Sequence, residues 1–188
     1  MRPELRHLPN LITVCRILLV PPTLWLIAVG DFGAALACFV VAGVSDALDG
    51  ALAKGFGWTS RLGGILDPIA DKLLLVGCYL VLGWNHELPR WLVALVLLRD
   101  VVIVAGALAY HWLIEALQPT PSRISKVNTL MQLVMVFAVL VSHGIWSVPP
   151  ALLRALVLAT AFTTLWSGLD YVLAWSARAR AYRGPRRD

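Results

Sequence analysis

Four aspartates stand in two pairs whose spacing suits shared chemistry. Asp46 and Asp49 are three residues apart, and Asp67 and Asp71 are four residues apart. Both spacings place the two carboxylates of a pair on one face of an α-helix. If the two helices are antiparallel neighbours, four carboxylates converge in one small volume and repel one another. A hard divalent cation with oxygen ligands, Mg²⁺ above all, relieves that repulsion. The pattern therefore predicts a metal site.

The segments that carry these acids are apolar enough for a membrane. Of the 188 residues, 59% are apolar and 14% are charged, and the mean hydropathy is +0.76. A soluble chain is about half apolar and about a quarter charged. An acid at bilayer depth costs about 2.5–3.5 kcal/mol, so each is a functional candidate. The apolar runs predict an all-α integral membrane protein, a bundle of six transmembrane helices at 10–29, 32–53, 62–84, 89–117, 124–145 and 149–176.

The basic residues indicate how such a bundle is oriented. Most Lys and Arg residues fall near the two termini and the second and fourth loops, whereas the opposite side carries only Arg90 and Arg154. The positive-inside rule then places both termini in the cytoplasm. The net charge of +5 is therefore explained by topology, and no nucleic-acid partner is expected. We expect a membrane domain at 1–178 and a basic cytoplasmic tail at 179–188. No import leader is evident, which favours a bacterial inner membrane over an organelle.

The two acid pairs belong to a longer pattern. The chain reads D46-A-L-D49-G50-A-L-A53-K54, then eight residues, then G63-G-I-L-D67-P-I-A-D71. This resembles the signature of the CDP-alcohol phosphatidyltransferases, D-x2-D-G-x2-A-R-x8-G-x3-D-x3-D. Seven of the eight fixed residues match, and every spacing is intact. The departure is Lys54, which replaces an arginine and lacks the planar fork that grips a phosphate bidentately.

The resemblance implies a role for each acid. Asp46, Asp49 and Asp67 would hold the Mg²⁺ or Mn²⁺ that binds the diphosphate of CDP-diacylglycerol. Asp71 would help to hold a metal and would act as the catalytic base on the acceptor hydroxyl. That hydroxyl would attack the phosphorus next to diacylglycerol, and CMP would leave. The spacing alone does not say which acid is the base.

Small and basic residues beside the acids are candidates for the CDP-diacylglycerol site. Gly50, Ala53 and Gly63 remove side-chain bulk and would let a diphosphate or a base approach the backbone. They equally let helices pack closely, and for Ala53 we favour packing. Lys54 would contact the diphosphate in place of the family arginine.

The acceptor is predicted from the fourth and fifth spans. Arg99 and Asp100 lie deep in the fourth span, as a structural ion pair or as the wall of a polar cavity. Arg123, Lys126 and Asn128 open the fifth span, where a basic helix N-terminus suits an anion. Positive-inside topology accounts for the two cations equally well. We expect Arg99, Arg123, Lys126 and Asn128 nearest the acceptor phosphate.

The residue sequence of these spans indicates a subfamily. R99-D-V, I124-S-K-V-N-T-L-M-Q132-L and A161-F-T-T164 look like the eukaryotic-type cardiolipin synthases. Phosphatidylglycerophosphate synthases tend to have G-K-x-K-T at the fifth span, and Asn128 replaces the second of those lysines. The resemblance therefore implies phosphatidylglycerol as acceptor, with glycerol 3-phosphate as the alternative, and a homodimer in the bilayer.

Two further observations stay open. Asn10, Thr13 and Arg16 form a stripe on the first span that either reaches the polar cavity or anchors the helix at the interface. Intramembrane acids also mark ion pathways, so a transporter is a rival, as is a non-catalytic lipid-binding scaffold. The acid pairs flank one loop, and the rest of the two helices is acid-free as far as Asp31 and Glu87, which argues against a path through the membrane.

Overall fold

The helices begin and end close to where glycine and proline punctuate the sequence. The computed structural model describes residues 8–56, 63–113 and 122–183, and in these ranges every regular element is an α-helix. The all-α prediction is confirmed. The six helices are α1 (Leu8–Ala28), α2 (Phe32–Phe56), α3 (Gly63–Trp84), α4 (Arg90–Leu113), α5 (Arg123–Gly144) and α6 (Pro150–Arg183).

The largest difference from the predicted bounds is at the end of α6. The apolar run ends at Ser176, but the helix continues to Arg183. Alanine and arginine alternate in this stretch, and both are strong helix formers, so the helix persists after the apolar pattern has stopped. The predicted basic tail at 179–188 thus begins as helix.

Membrane-spanning capacity is clearest in the last two helices. Among the described residues, Arg123–Gly144 and Pro150–Ser176 are long and apolar enough to cross a bilayer. Ile12–Ala28 and Phe32–Leu48 are shorter apolar helical stretches. Six spans with cytoplasmic termini remain a prediction.

The chain divides into two compact units, of which the first comprises Met1–Leu88 and Val136–Pro149. In this unit α1 packs against both α2 and α3. The buried positions of each helix recur every three or four residues, as one face of an α-helix requires. They are Thr13, Arg16, Val20, Thr23 and Ile27 on α1 and Ala70, Leu74, Cys78 and Leu82 on α3.

Two glycines in this unit lie close against a neighbouring segment. A Cβ on Gly77 of α3 would lie 2.7 Å from a methyl carbon of Leu24 on α1. A Cβ on Gly144 would lie 2.8 Å from the backbone nitrogen of Gly33 at the start of α2. A larger residue at position 144 would meet backbone and push the two segments apart, whereas at position 77 the Leu24 side chain would have to shift.

The α1–α2 connection is tight because Gly30 has a φ of 85°. The amide of Asp31 donates to the carbonyl of Leu26 at 2.9 Å, which closes the end of α1 in a Schellman arrangement. The carboxylate of Asp31 then accepts from the amide of Ala34 at 3.1 Å and caps α2.

The second unit comprises Pro89–Met135 and Pro150–Asp188, and in it α4 packs against α6. Its interior contains a row of polar side chains at helical spacing. In an apolar surrounding such groups hold helices together by hydrogen bonds. The buried members are Arg99 on α4, Ser125, Asn128 and Gln132 on α5, and Thr160, Thr164 and Ser167 on α6.

Candidate active site

Acids from the two halves of the signature meet through α1. Nη1 of Arg16 lies 2.7 Å from Oδ1 of Asp46 on α2 and 3.1 Å from Oδ1 of Asp71 on α3. Because both carboxylate oxygens contact the same nitrogen atom, they lie close to each other. The structure thus brings together one acid from each predicted pair, and a cation already stands between them.

The burial of these three side chains differs sharply. The side chain of Arg16 is 1% exposed, whereas those of Asp46 and Asp71 are 45% and 52% exposed. Arg16 forms the floor of the cluster, and the carboxylates form its accessible rim. A ligand that approaches the cluster meets negative charge first, because two carboxylates outweigh one guanidinium.

The third acid of the signature is held by the same face of α1. Oγ1 of Thr13 donates a hydrogen bond of 2.6 Å to Oδ1 of Asp67. Thr13 and Arg16 are three residues apart on the buried stripe of α1, so both point into the bundle. One helix face thereby fixes Asp46, Asp67 and Asp71.

The donor set fits a hard divalent cation, although it is not a complete cage. Among the described side chains, no group of three or more His, Cys, Asp or Glu residues could hold a metal. Mg²⁺ usually takes one or two carboxylates and completes its shell with waters and substrate phosphates. Asp46 and Asp71, whose oxygens converge on one positive group, meet that requirement.

The remaining signature residues are described only by their backbone. Asp49, Gly50, Ala53 and Lys54 lie in the last turns of α2, and Gly63 is the first residue of α3. Their side chains lie outside the described part of the structure. The metal role of Asp49 and the CDP-diacylglycerol roles of the other four stay predictions.

A second polar cluster surrounds Arg99 in the second unit. Its Nη2 donates to Oγ of Ser125 at 2.7 Å and to Oγ of Ser167 at 2.6 Å. Nη1 pairs with Oδ1 of Asp100 at 2.8 Å, and the guanidinium carbon lies 5.9 Å from the ring centre of Tyr171. The ion pair that the sequence suggested is present, and hydroxyls from α5 and α6 complete it.

Asn128 forms a separate hydrogen-bonded group. It is fully buried, and its Oδ1 lies 2.8 Å from Oγ1 of Thr164 and 3.1 Å from Oγ1 of Thr163. Its Nδ2 is buried and has no hydrogen-bond partner in the described part of the chain. The amide nitrogen therefore retains an unused donor.

The other two acceptor candidates lie at the start of α5. Arg123 and Lys126 are exposed in the first turn of that helix. Ser122 caps the helix by accepting a 3.2 Å hydrogen bond from the amide of Ser125. Both cations thus face outward, in contrast with buried Arg99 and Asn128.

Sequence reasoning assigned no firm role to four residues that the structure places at these clusters. Thr13 and Arg16 were left open between an anchor and a cavity wall, yet their spacing with Val20 already puts them on a core stripe. Ser125 and Ser167 have a weaker signal, since a serine in a helix interior is common. Only the contact with Arg99 reveals their part.

Apolar helices throughout the described ranges, together with this acid signature, define a class of protein, and comparison with known families names that class. The family described as CDP-alcohol phosphatidyltransferase matches residues 6–166. The chain belongs to the CDP-alcohol phosphatidyltransferase family, as its signature predicted.

Individual relatives fall into two groups by name. The chain is 34% identical over 180 residues to the human cardiolipin synthase (CMP-forming), and the aligned region covers 87% of this chain and 60% of the relative. It is 32% identical over 185 residues to the Streptomyces coelicolor cardiolipin synthase (CMP-forming), covering 93% and 85%. It is 34% identical over 182 residues to the Escherichia coli CDP-diacylglycerol–glycerol-3-phosphate 3-phosphatidyltransferase, covering 89% and 94%. The chain spans 60% of the length of the rat and human relatives.

Proposed function

We propose that the protein transfers the phosphatidyl group of CDP-diacylglycerol to phosphatidylglycerol, which gives cardiolipin and CMP. The observation that carries the proposal is the meeting of Asp46 and Asp71 on Arg16, because it gathers acids from both halves of the family signature. The cardiolipin synthases among the relatives support the same acceptor.

The reaction needs a base and a polarised diphosphate. Asp71, half exposed at the rim of the cluster, accepts the proton of the acceptor hydroxyl. The hydroxyl oxygen forms a bond to the phosphorus next to diacylglycerol, and the bond from that phosphorus to the bridging oxygen of the diphosphate breaks. CMP leaves with the electron pair of that bond.

A divalent cation, Mg²⁺ or Mn²⁺, would be held by Asp46, Asp49, Asp67 and Asp71. When bound, it neutralises charge on the reacting phosphoryl group and on the leaving group. Gly50 and Gly63 leave room for the nucleotide, and Lys54 contributes a point charge toward the diphosphate.

The choice of acceptor rests on charge. Phosphatidylglycerol is a monoanionic diester that arrives laterally through the bilayer, so it needs fewer cations than a dianion does. In the second unit Asp100 balances the charge of Arg99, whereas Arg123 and Lys126 are exposed cations. Asn128 supplies a donor for a diester oxygen or a glycerol hydroxyl.

Glycerol 3-phosphate is the second candidate acceptor. The name of the Escherichia coli relative specifies that acceptor, and the region aligned with this chain covers 94% of that relative's length. A glycerol 3-phosphate site would gather several cations around a dianion. The lysine that the family's glycerol-phosphate pattern has at position 128 is an asparagine here.

The protein is proposed to act in the cell membrane of a bacterium as a homodimer of six-span subunits. The excess of Lys and Arg near the termini supports cytoplasmic termini. The acids of α2 and α3 flank one loop, which on the same rule faces the cytoplasm.

An acceptor panel tests the proposal. Detergent-purified protein receives labelled CDP-diacylglycerol with Mg²⁺ and either phosphatidylglycerol, glycerol 3-phosphate or no acceptor. Cardiolipin and CMP are expected from phosphatidylglycerol alone, and a chelator should stop their formation. Product from glycerol 3-phosphate and none from phosphatidylglycerol would overturn the acceptor. Absence of CMP in every arm would overturn the transferase activity itself.

A further inference from the structure

Arg16 is the one buried cation that directly contacts acids from both halves of the signature, among the residues that the structure describes. Its side chain is 1% exposed, and its Nη1 approaches Asp46 and Asp71 at 2.7 and 3.1 Å. The family signature begins at Asp46 and does not include this arginine. Its place in the site is therefore a property of the three-dimensional structure.

The contact compensates a repulsion that the fold would otherwise leave. Two carboxylates held near one another by packed helices disfavour each other's ionised form. A guanidinium beside both removes that penalty and fixes their positions before any ligand binds. Because Arg16 lies on the packed stripe of α1, it stays beneath the acids and does not reach bulk water.

The same geometry sets Arg16 against a bound metal. The Oδ1 atoms that Arg16 contacts belong to acids that would also ligate the divalent cation of the proposed function. A dication within ligand distance of those oxygens, about 2.0–2.6 Å, adds positive charge next to the guanidinium. The two cations compete for one pair of carboxylates.

We propose that Arg16 is an exchangeable internal counter-ion of the acid cluster, which holds Asp46 and Asp71 in place in the metal-free protein and gives up at least one of them when the divalent cation binds. This inference rests on the proposed function for the identity of the metal ligands. Arg16 is a positioning residue in this account, since it acts through the acids.

The proposal predicts a change in metal affinity, on removal of Arg16, of the opposite sign to the change expected if Arg16 were merely structural. If Arg16 only braces the acids, its removal weakens metal binding along with stability. If Arg16 competes with the metal, its removal strengthens metal binding while it destabilises the metal-free protein. The affinity for the metal alone, without nucleotide or lipid, therefore decides between the two.

The experiment uses the full chain, purified in detergent, and Mn²⁺ as the probe. Bound Mn²⁺ is measured by electron paramagnetic resonance, and thermal stability is measured in chelator and in saturating Mn²⁺. The variants are Arg16→Gln, which removes the charge, and Arg16→Lys, which keeps it. Arg154→Gln is the matched control, because Arg154 is an exposed arginine on α6 that is not part of the acid signature.

Arg16→Gln should bind Mn²⁺ roughly tenfold more tightly than wild type, as the loss of a charged hydrogen bond allows. Its melting temperature in chelator should fall and should recover with Mn²⁺. Arg16→Lys and Arg154→Gln should bind Mn²⁺ as wild type does.

Equal or weaker Mn²⁺ binding by Arg16→Gln would overturn the inference. If that variant does not fold, Arg16→Met, which also removes the charge, is measured in its place, and equal or weaker Mn²⁺ binding by Arg16→Met likewise overturns the inference. A wild-type protein that binds no Mn²⁺ and turns over in chelator would instead overturn the metal in the proposed function. Metal-dependent turnover with unchanged Mn²⁺ binding in Arg16→Gln would overturn the counter-ion role alone.

Discussion

Each of the two compact units buries an arginine, and the partners of the two arginines differ. Arg16 lies between carboxylates contributed by two other helices. Arg99 contacts two serine hydroxyls and the carboxylate of its own neighbour, Asp100. The first cluster carries an excess of negative charge, whereas the ion pair in the second is balanced.

This difference separates two kinds of chemistry. The proposed metal site, the proposed base and the proposed exchange of Arg16 all depend on the excess of carboxylate in the first cluster. A guanidinium held by neutral hydroxyls beside one acid has no competitor for its partners, so it fixes helices in place. Exposed Arg123 and Lys126 add positive charge at the start of α5 in the same unit.

The strongest test of the contrast is the base. Asp71→Asn keeps the shape of the side chain but cannot take the acceptor proton, so turnover should fall by roughly 10²–10⁴-fold. Labelled CMP release measures the loss, and a melting curve in detergent shows that the variant is folded. Asp31→Asn is the control, since asparagine caps a helix as well as aspartate does. Near-normal turnover by folded Asp71→Asn would show that another group is the base.

The sequence anticipated the helices and the acids for physical reasons. Glycine and proline between apolar runs marked the ends of most helices to within a few residues. The predicted sixth span ends at Ser176, as the apolar part of α6 does, and the helix continues to Arg183 because helix continuation depends on propensity and not on hydropathy. The acid pairs were readable because a spacing of three or four residues defines a helix face.

The partners of those acids were harder to anticipate. The sequence left open whether α2 and α3 are neighbours, and the structure shows α1 packed against each, with its Arg16 between Asp46 and Asp71. Spacing within a helix cannot state which helices are adjacent. The clue was that Arg16 shares a three- and four-residue repeat with Val20, Thr23 and Ile27, which puts it on the core face.

The stabilising role assigned to Arg99 predicts a large loss of stability. Arg99→Gln leaves Asp100 without that ion pair in a buried setting, which costs about 3–5 kcal/mol. Ser167→Ala removes one hydroxyl partner and should cost about 1 kcal/mol. Thermal unfolding in detergent, with and without Mn²⁺, measures both. Mn²⁺ should rescue Arg16→Gln but not Arg99→Gln, and rescue of both would erase the distinction between the clusters.

Lys54 tests the acidic cluster further, because it is a cation of the same signature and is predicted to face the diphosphate. Lys54→Ala should lower turnover roughly tenfold, since a hydrogen bond to a charged group contributes about 1.5–3 kcal/mol. Lys54→Arg restores the family residue and should be tolerated. Initial rates of CMP release at saturating acceptor measure the effect. A neutral Lys54→Ala would mean that the residue is an interfacial charge only.

The smallest expected effect concerns the exposed charge of the second unit. Lys126 lies in the first turn of α5, where free positive charge and helix amides favour an anion. Since exposed charge pairs are screened and weak, Lys126→Gln should raise the KM for phosphatidylglycerol only a few-fold and leave kcat unchanged. Higher salt should reduce the difference from wild type.

The control for this charge is Arg154→Gln, which removes an exposed cation from the side predicted to face away from the cytoplasm. It should change neither kinetic constant. Initial rates over a range of phosphatidylglycerol in mixed micelles, at low and high salt, compare the two variants. An equal rise of KM in both would reduce Lys126 to general surface charge. A fall in kcat with Lys126→Gln would instead place the lysine at the reacting phosphoryl group, a role now assigned to the acid cluster.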